Sequence, residues 1–491
     1  MTDDEALRRQ IRTQWDSGEL GQALAGAREL FRRAPDELHA KVLLARLLRE
    51  APDSIEHMEY EMLERLVRDK DIDPSHIGRA GWRFLRVQSP LFRHAATTDA
   101  ALAAELLEGE NLAHALLEET PVTDSEAEAL LAGVRRWLLL SGRSHEFPKS
   151  LSALAAQTAI NGGAWFFDAE ERAALSTGKG APLRRLYTTA PAHAAPTPGF
   201  EHSVTRAVAS QYEGWPYPQW RRVTRMRSSS LADEIRKIDP DGIHELPDRP
   251  DILIAGCGTG RQAALAAQQY NGANILGIDI SEASLAYARE RLEVLQLPNV
   301  EMRLLDLHDV AKLNRRFDFI TSTGVLHHLP DPEKGWEVLL GVLKPGGVLH
   351  IMIYSKIARM RVRAWRQWFE DLQCGPVDDD VLRAVRQRII AMGPKAIPIS
   401  GDFYTLAGVH DLLLHRHENP FDVAQIKRAI ERFGLEFLGF RISKRPLKAK
   451  YLAENPHDKL FRDYDAWQRF ELKHPTAFAA MYDFRCRKSA A

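Results

Sequence analysis

Along the first two hundred residues apolar positions recur three and four apart, as in Leu20, Ala23, Leu24, Ala27 and Leu30. That spacing lines one face of a helix. Breaks fall at Ala34–Pro35, Ala51–Pro52–Asp53 and Asp73–Pro74, where proline ends helices. Further helices fit Met58–Lys70, Asp99–Leu107, Ser125–Leu140 and Leu151–Asn161. No strand alternation interrupts them, so an all-helical domain is expected over 1–195. From residue 251 the pattern changes. Asp251–Gly256, Asn274–Asp279, Val300–Leu305, Phe317–Ser322 and Val348–Tyr354 read as strands. Helices fit between them at Arg261–Tyr270, Glu282–Gln296 and Glu333–Leu343. Such alternation predicts an α/β fold with a mostly parallel sheet covered on both faces.

Between the two patterns, residues 175–205 are rich in Gly, Pro, Ala and Thr and hold little that could build a core. Then QYEGWPYPQW, 211–220, concentrates Tyr212, Trp215, Tyr217 and Trp220 in ten residues. Its two prolines exclude an ordinary helix. The expected division is therefore 1–195 helical, 196–232 a connector with an aromatic lid element, and 233–491 the sheet domain, with a helical insertion at about 355–422.

Composition narrows the picture. Lys plus Arg is 66 and Asp plus Glu is 67, so no global charge favours nucleic acid or membrane. No apolar run approaches the roughly 18 residues of a membrane span. The charged start, MTDDEALRRQ, lacks a signal-peptide core. Cys257, Cys374 and Cys486 are the only cysteines; they show no metal-binding spacing and fit a reducing, cytoplasmic setting.

The chemistry begins at ILIAGCGTGRQ. Gly256, Gly258 and Gly260 alternate on a turn from strand to helix, where a side chain would block a ligand's approach to the backbone. A dinucleotide site calls for G-x-G-x-x-G, but Arg261 or Ala263 stands at the third position. The spacing instead suits S-adenosylmethionine, which has no pyrophosphate. Asp279 ends the second strand, 21 residues after Gly258, and is placed to accept ribose hydroxyls. Its alternative role is to cap the next helix. Ile280 would lie against the adenine. Asp306, with the Leu307 amide, ends the third strand and could pair with the adenine edge.

The motifs AGCGTG, GIDIS, LLDL, GVLHHLPDP and LKPGGVL, in that order across 251–354, resemble the core of class I S-adenosylmethionine-dependent methyltransferases. That resemblance implies a Rossmann-like seven-stranded sheet whose last strand is antiparallel, and S-adenosyl-L-methionine as cofactor. It places Gly256, Gly258 and Gly260 at the methionine moiety, and Thr323 and Gly324 at the methyl-donor end. Ala255 departs from the pattern: many relatives carry an acid there that holds the turn and the ligand's amino group. The segment WDSGELGQALAGARELFRRAP has the cadence of a degenerate tetratricopeptide-like hairpin: Trp15 and Gly18, then Ala27 and Phe31, then Pro35. Together with QYE-x-x-PYP-x-W and DFYTLAGVHDLLLHRHENPF, it is similar to bacterial tetratricopeptide-repeat methyltransferases.

His327 and His328 follow the fourth strand and are candidate general bases; their bland role is to hold the loop. Tyr404, His410, Asp411 and His415 are candidate acceptor contacts, with Asp411 and His415 one helical turn apart. No metal is expected. Tyr212 and Tyr217 are expected near the cofactor, and Trp220 is expected to pack. The helix 355–372 pairs a basic face, Lys356, Arg359, Arg361, Arg363 and Arg366, with an apolar one, and reads as a solvated charged face. Ser322–Val325 lacks the Asn/Asp-Pro-Pro-aromatic run of nucleobase amino-methylating enzymes. The expected function is methyl transfer to an unidentified acceptor, first a protein or peptide recruited by the helical repeats. The alternatives are a small metabolite, with the helices serving oligomerisation, and a cofactor-binding scaffold without transfer.

Overall fold

Seven segments form one sheet in the computed structural model: β1 Asp251–Ala255, β2 Asn274–Asp279, β3 Val300–Leu304, β4 Phe317–Thr323, β5 Leu343–Ile353, β6 Leu435–Phe440 and β7 Tyr482–Lys488. The structure describes residues 3–55, 58–95, 97–178, 180–189, 200, 202–226, 228–240, 242, 246–270, 272–371, 377–393 and 401–490. Cys374, and 190–199 and 201 of the expected connector, lie outside them.

The strand order is β3-β2-β1-β4-β5-β7-β6. The first five strands are parallel, and β7 runs antiparallel between β5 and β6. The order reverses beside β1, so the carboxyl ends of β1 and β4 flank the crevice where open α/β sheets bind ligands. β1 and β4 are buried along almost their whole length, as central parallel strands covered on both faces must be. Leu253, Leu276, Ile320, Trp336 and Leu349 share one core, and Ile252, Ile254, Ala263 and Leu285 share the other.

The chain folds as two compact units. The sheet unit comprises the described residues of Ala192–Trp220, Arg225–Gln367 and His415–Ala491; the helical unit comprises those of Met1–Pro191, Arg221–Thr224 and Trp368–Leu414. The expected insertion over 355–422 therefore divides, with 368–414 joining the helical unit. Within that unit the buried Arg386 guanidinium forks onto the buried Glu128 carboxylate. Arg386 also donates to the Phe403 carbonyl at 2.7 Å, and Arg383 to the Gly163 carbonyl at 2.6 Å. Arg222 ties 221–224 in through Glu119 at 2.9 Å and the Val67 carbonyl at 2.7 Å.

The helices Asp3–Asp16, Leu20–Arg33 and Leu38–Glu50 pack in succession. Trp15, Ala27 and Phe31 are buried, and Gly18 takes the positive φ of the turn. Beyond them the packing stops being sequential. The helix Asn111–Glu119 lies against Tyr60–Arg68, Ser75–Gln88 and Pro148–Asn161. Part of the expected connector is core: Leu186 and Tyr187 are fully buried, with Tyr187 under the Arg135 guanidinium at 4.0 Å.

Candidate functional site

The glycine turn after β1 is left-handed at all three positions, with φ of +74°, +50° and +81° at Gly256, Gly258 and Gly260, a region L side chains rarely enter. A Cβ on Gly256 would stand 2.3 Å from a Val325 methyl, and one on Gly260 would stand 2.7 Å from Ala288. At Gly258 the nearest atom is the Tyr217 carbonyl oxygen, 3.1 Å from the same imagined Cβ. The helix Arg261–Gln269 begins at Gly260, which supplies no side-chain cap.

Asp279 does not cap the helix that follows it. Its Oδ2 accepts the Gly258 amide at 2.7 Å and its Oδ1 the Ser281 amide at 3.0 Å. Burial pushes this carboxyl up, while the Gly258, Ser281 and Ile280 amides pull it back. The helix Glu282–Val294 is instead capped by the Ser281 hydroxyl and by Glu213, whose buried carboxylate accepts the Glu282 amide at 2.5 Å. Sequence reasoning missed Glu213, which lies inside the aromatic stretch 211–220 with no local sign of the distant amide it caps. At β3, Asp306 Oδ1 takes both the His308 amide, at 2.9 Å, and the His308 ring Nδ1, at 2.8 Å. Leu307 is buried beside it.

The aromatic stretch is half helix. Ser203–Gly214 is helical through Gly214, before the prolines act, and the chain then extends. Trp220 is buried, and its indole donates to the Thr259 carbonyl at 2.8 Å. The Thr259 hydroxyl in turn donates to the Pro218 carbonyl. Tyr287 clasps the Trp220 backbone from both sides, accepting its amide at 3.1 Å and donating to its carbonyl at 2.5 Å. The Tyr217 backbone carbonyl is thereby held beside Gly258. Tyr212 reaches the other way, its hydroxyl 3.2 Å from His415 Nε2.

After β4 the chain turns at Gly324, φ +74°, and enters the two histidines. His327 has no exposed surface; its Nδ1 accepts the Tyr354 amide at 3.4 Å and its ring lies 4.0 Å from that of Tyr354. His328 Nδ1 donates to the His417 carbonyl at 2.8 Å, and its ring stacks on His415 at 3.5 Å. Burial lowers both, His328 to about 3, so both rings are neutral. Arg359 and Arg366 converge on the buried Glu418, Arg366 at 2.7 Å. The helix Met360–Asp371 presents the expected solvated basic face only in part: Arg361 and Arg363 are exposed, whereas Arg359, just before the helix, is buried and Met360 from the expected apolar side is 57% exposed.

The structure gathers Gly256, Gly258, Asp279, Ile280, Thr323 and Gly324 half-buried along one sheet edge whose strand interiors are buried. Tyr404, His410 and Asp411 belong to the helical unit. The helix Leu406–Leu414 ends one residue before His415. Burial raises the Tyr404 phenol to about 12.

These features fit S-adenosylmethionine. Side-chain-free turns open a cradle at Gly258, and two carboxylates end neighbouring strands. A family profile described as a methyltransferase domain matches residues 251–387. A trans-aconitate 2-methyltransferase of Variovorax paradoxus is 36% identical over 213 residues, covering 43% of this chain and 77% of that protein. An uncharacterized Synechococcus protein is 31% identical over 296 residues, covering 55% and 68%. Among solved structures, PKMT2 from Rickettsia typhi in complex with AdoHcy shares 19% identity over 52% of each chain, with a TM-score of 0.38; the chain spans about half of that protein's length. The chain belongs to the class I S-adenosylmethionine-dependent methyltransferases.

Proposed function

We propose that the sheet unit methylates an acceptor atom that arrives already deprotonated, a carboxylate oxygen of a small organic acid. When bound, S-adenosylmethionine supplies an electrophilic methyl group. The residues that would hold it are Gly256–Gly260 at the methionine end, Asp279 at the ribose, and Asp306 with Leu307 at the adenine. The carrying observation is that His327 and His328, the candidate bases after β4, are both committed to packing. A ring with a value near 3 is too weak a base to remove a proton from a hydroxyl acceptor at neutral pH. A carboxylate needs none removed; its transfer requires alignment and exclusion of water. The trans-aconitate methyltransferases among the relatives support an acid acceptor.

The test is transfer of labelled methyl groups in a cell extract, split into protein and small-molecule fractions. Label is expected in small acids and to be released as methanol by alkali, as from an ester. Alkali-stable label confined to protein would overturn this reading in favour of a peptide acceptor recruited by the helical unit.

A further inference from the structure

The acid that many relatives carry before the first glycine is replaced here by Ala255, which is fully buried. The cofactor's amino group therefore needs another partner, and a chain of hydrogen bonds across the sheet supplies one. His350 on β5 lies between Asp483 on β7 and Thr321 on β4: Nε2 is 2.9 Å from Asp483 Oδ1, and Nδ1 is 3.0 Å from the Thr321 hydroxyl. Gln262, in the first turn after the glycines, places Nε2 3.0 Å from the Thr321 oxygen and 2.9 Å from the Thr323 oxygen.

The direction of every bond in this chain is fixed from its buried end. Burial pushes the Asp483 carboxyl up, but His350, Arg441 and Arg485 pull it below the ordinary value, so it is ionised and only accepts. His350 must then carry its proton on Nε2. Burial keeps the ring neutral, so Nδ1 accepts and Thr321 must donate to it. With its one hydrogen spent, Thr321 can only accept from Gln262. That requires the Gln262 nitrogen, not its oxygen, to face the threonines, and so settles an amide orientation that geometry alone leaves open. Both amide hydrogens go to Thr321 and Thr323. Two groups remain to act at the half-buried edge. Gln262 Oε1 can only accept. The Thr323 hydroxyl hydrogen lies 3.4 Å, oxygen to oxygen, from Thr321, beyond a normal hydroxyl bond, and is left to donate.

One acceptor beside one donor is the complement of a zwitterionic amino acid. We propose that Gln262 Oε1 and the Thr323 hydroxyl hold the α-ammonium and α-carboxylate of the cofactor's methionine end, with Asp483 and His350 as positioning residues that fix their polarity.

Calorimetric titration with S-adenosylhomocysteine and with 5′-methylthioadenosine, which lacks the amino-acid end, tests this. Gln262→Met is expected to weaken S-adenosylhomocysteine about tenfold or more, 1.4 kcal/mol per decade, and to leave methylthioadenosine within about twofold. Asp483→Asn, nearly isosteric, is expected to show the same selective loss to a smaller degree. Equal loss for both compounds, or no loss for S-adenosylhomocysteine, would overturn the assignment. Wild-type protein that bound neither compound would overturn it together with the cofactor reading of this edge.

Discussion

Asp306 and His308 form a small device at the rim of the site, and its dependence on pH can be worked out. Burial pushes the Asp306 carboxyl up, but the two bonds from His308 outweigh it and hold the group below its ordinary 3.8. The bond to Asp306 holds the His308 ring above its ordinary 6.5. The histidine's contribution to stability is therefore complete below 6.5 and is lost as pH rises through its raised value. The carboxylate's is complete above 3.8 and is lost as pH falls through its lowered value. His308→Ala should cost most stability near about pH 5 and least near about pH 9; melting temperatures across that range check this, and a pH-independent difference would count against it. The residues carrying the cofactor motif were legible because the turn chemistry is local: Gly256, Gly258 and Gly260 are needed for their φ, and sequence displays that need. Glu213 was not legible, because the amide it caps lies 69 residues away. His350 was hidden in the same way, its partner Asp483 being 133 residues on.

Among the elements, β1, β2 and β4 were read nearly to their ends because central parallel strands are continuous apolar runs. β7, YDFRCRK, escaped placement: its Asp and Arg side chains make the segment look like surface, yet Arg485 is buried and Asp483 serves His350. The start of β5 was missed because Pro345, Gly346 and Gly347 read as a turn. The helix Asp379–Ala391 gives the clearest energetic prediction. Its Arg386 pairs with Glu128 at 1% and 6% side-chain exposure. Removing one partner strands a buried charge, which costs about 3–5 kcal/mol. Replacing both by apolar groups of similar size costs much less. Arg386→Ala should therefore destabilise strongly in urea denaturation, and Arg386→Met combined with Glu128→Leu should recover most of the loss. Equal losses would mean that packing, not charge, governs the joint.

For the whole molecule, the fold class was legible from the alternation of strand and helix, and the allegiance of 368–414 was not, since its contacts lie more than two hundred residues back. A ligand that binds only the folded sheet unit should stabilise it by about 2.7 kcal/mol at one hundred times its dissociation constant. Scanning calorimetry with S-adenosylhomocysteine should show that shift, and Gly256→Ala, which meets Val325 in a left-handed turn, should abolish it.

The path of the chain also carries a consequence for its birth on the ribosome. Glu128 leaves the exit tunnel 258 residues before Arg386, and five strands of the sheet are made in the interval. Domains of most proteins settle one after another, the N-terminal one first. Here the first-made helices cannot close over the Glu128 carboxylate until Arg386 has been made, so the helical unit is completed only after most of the sheet's strands exist, and a nascent chain halted before residue 386 leaves that unit unfinished.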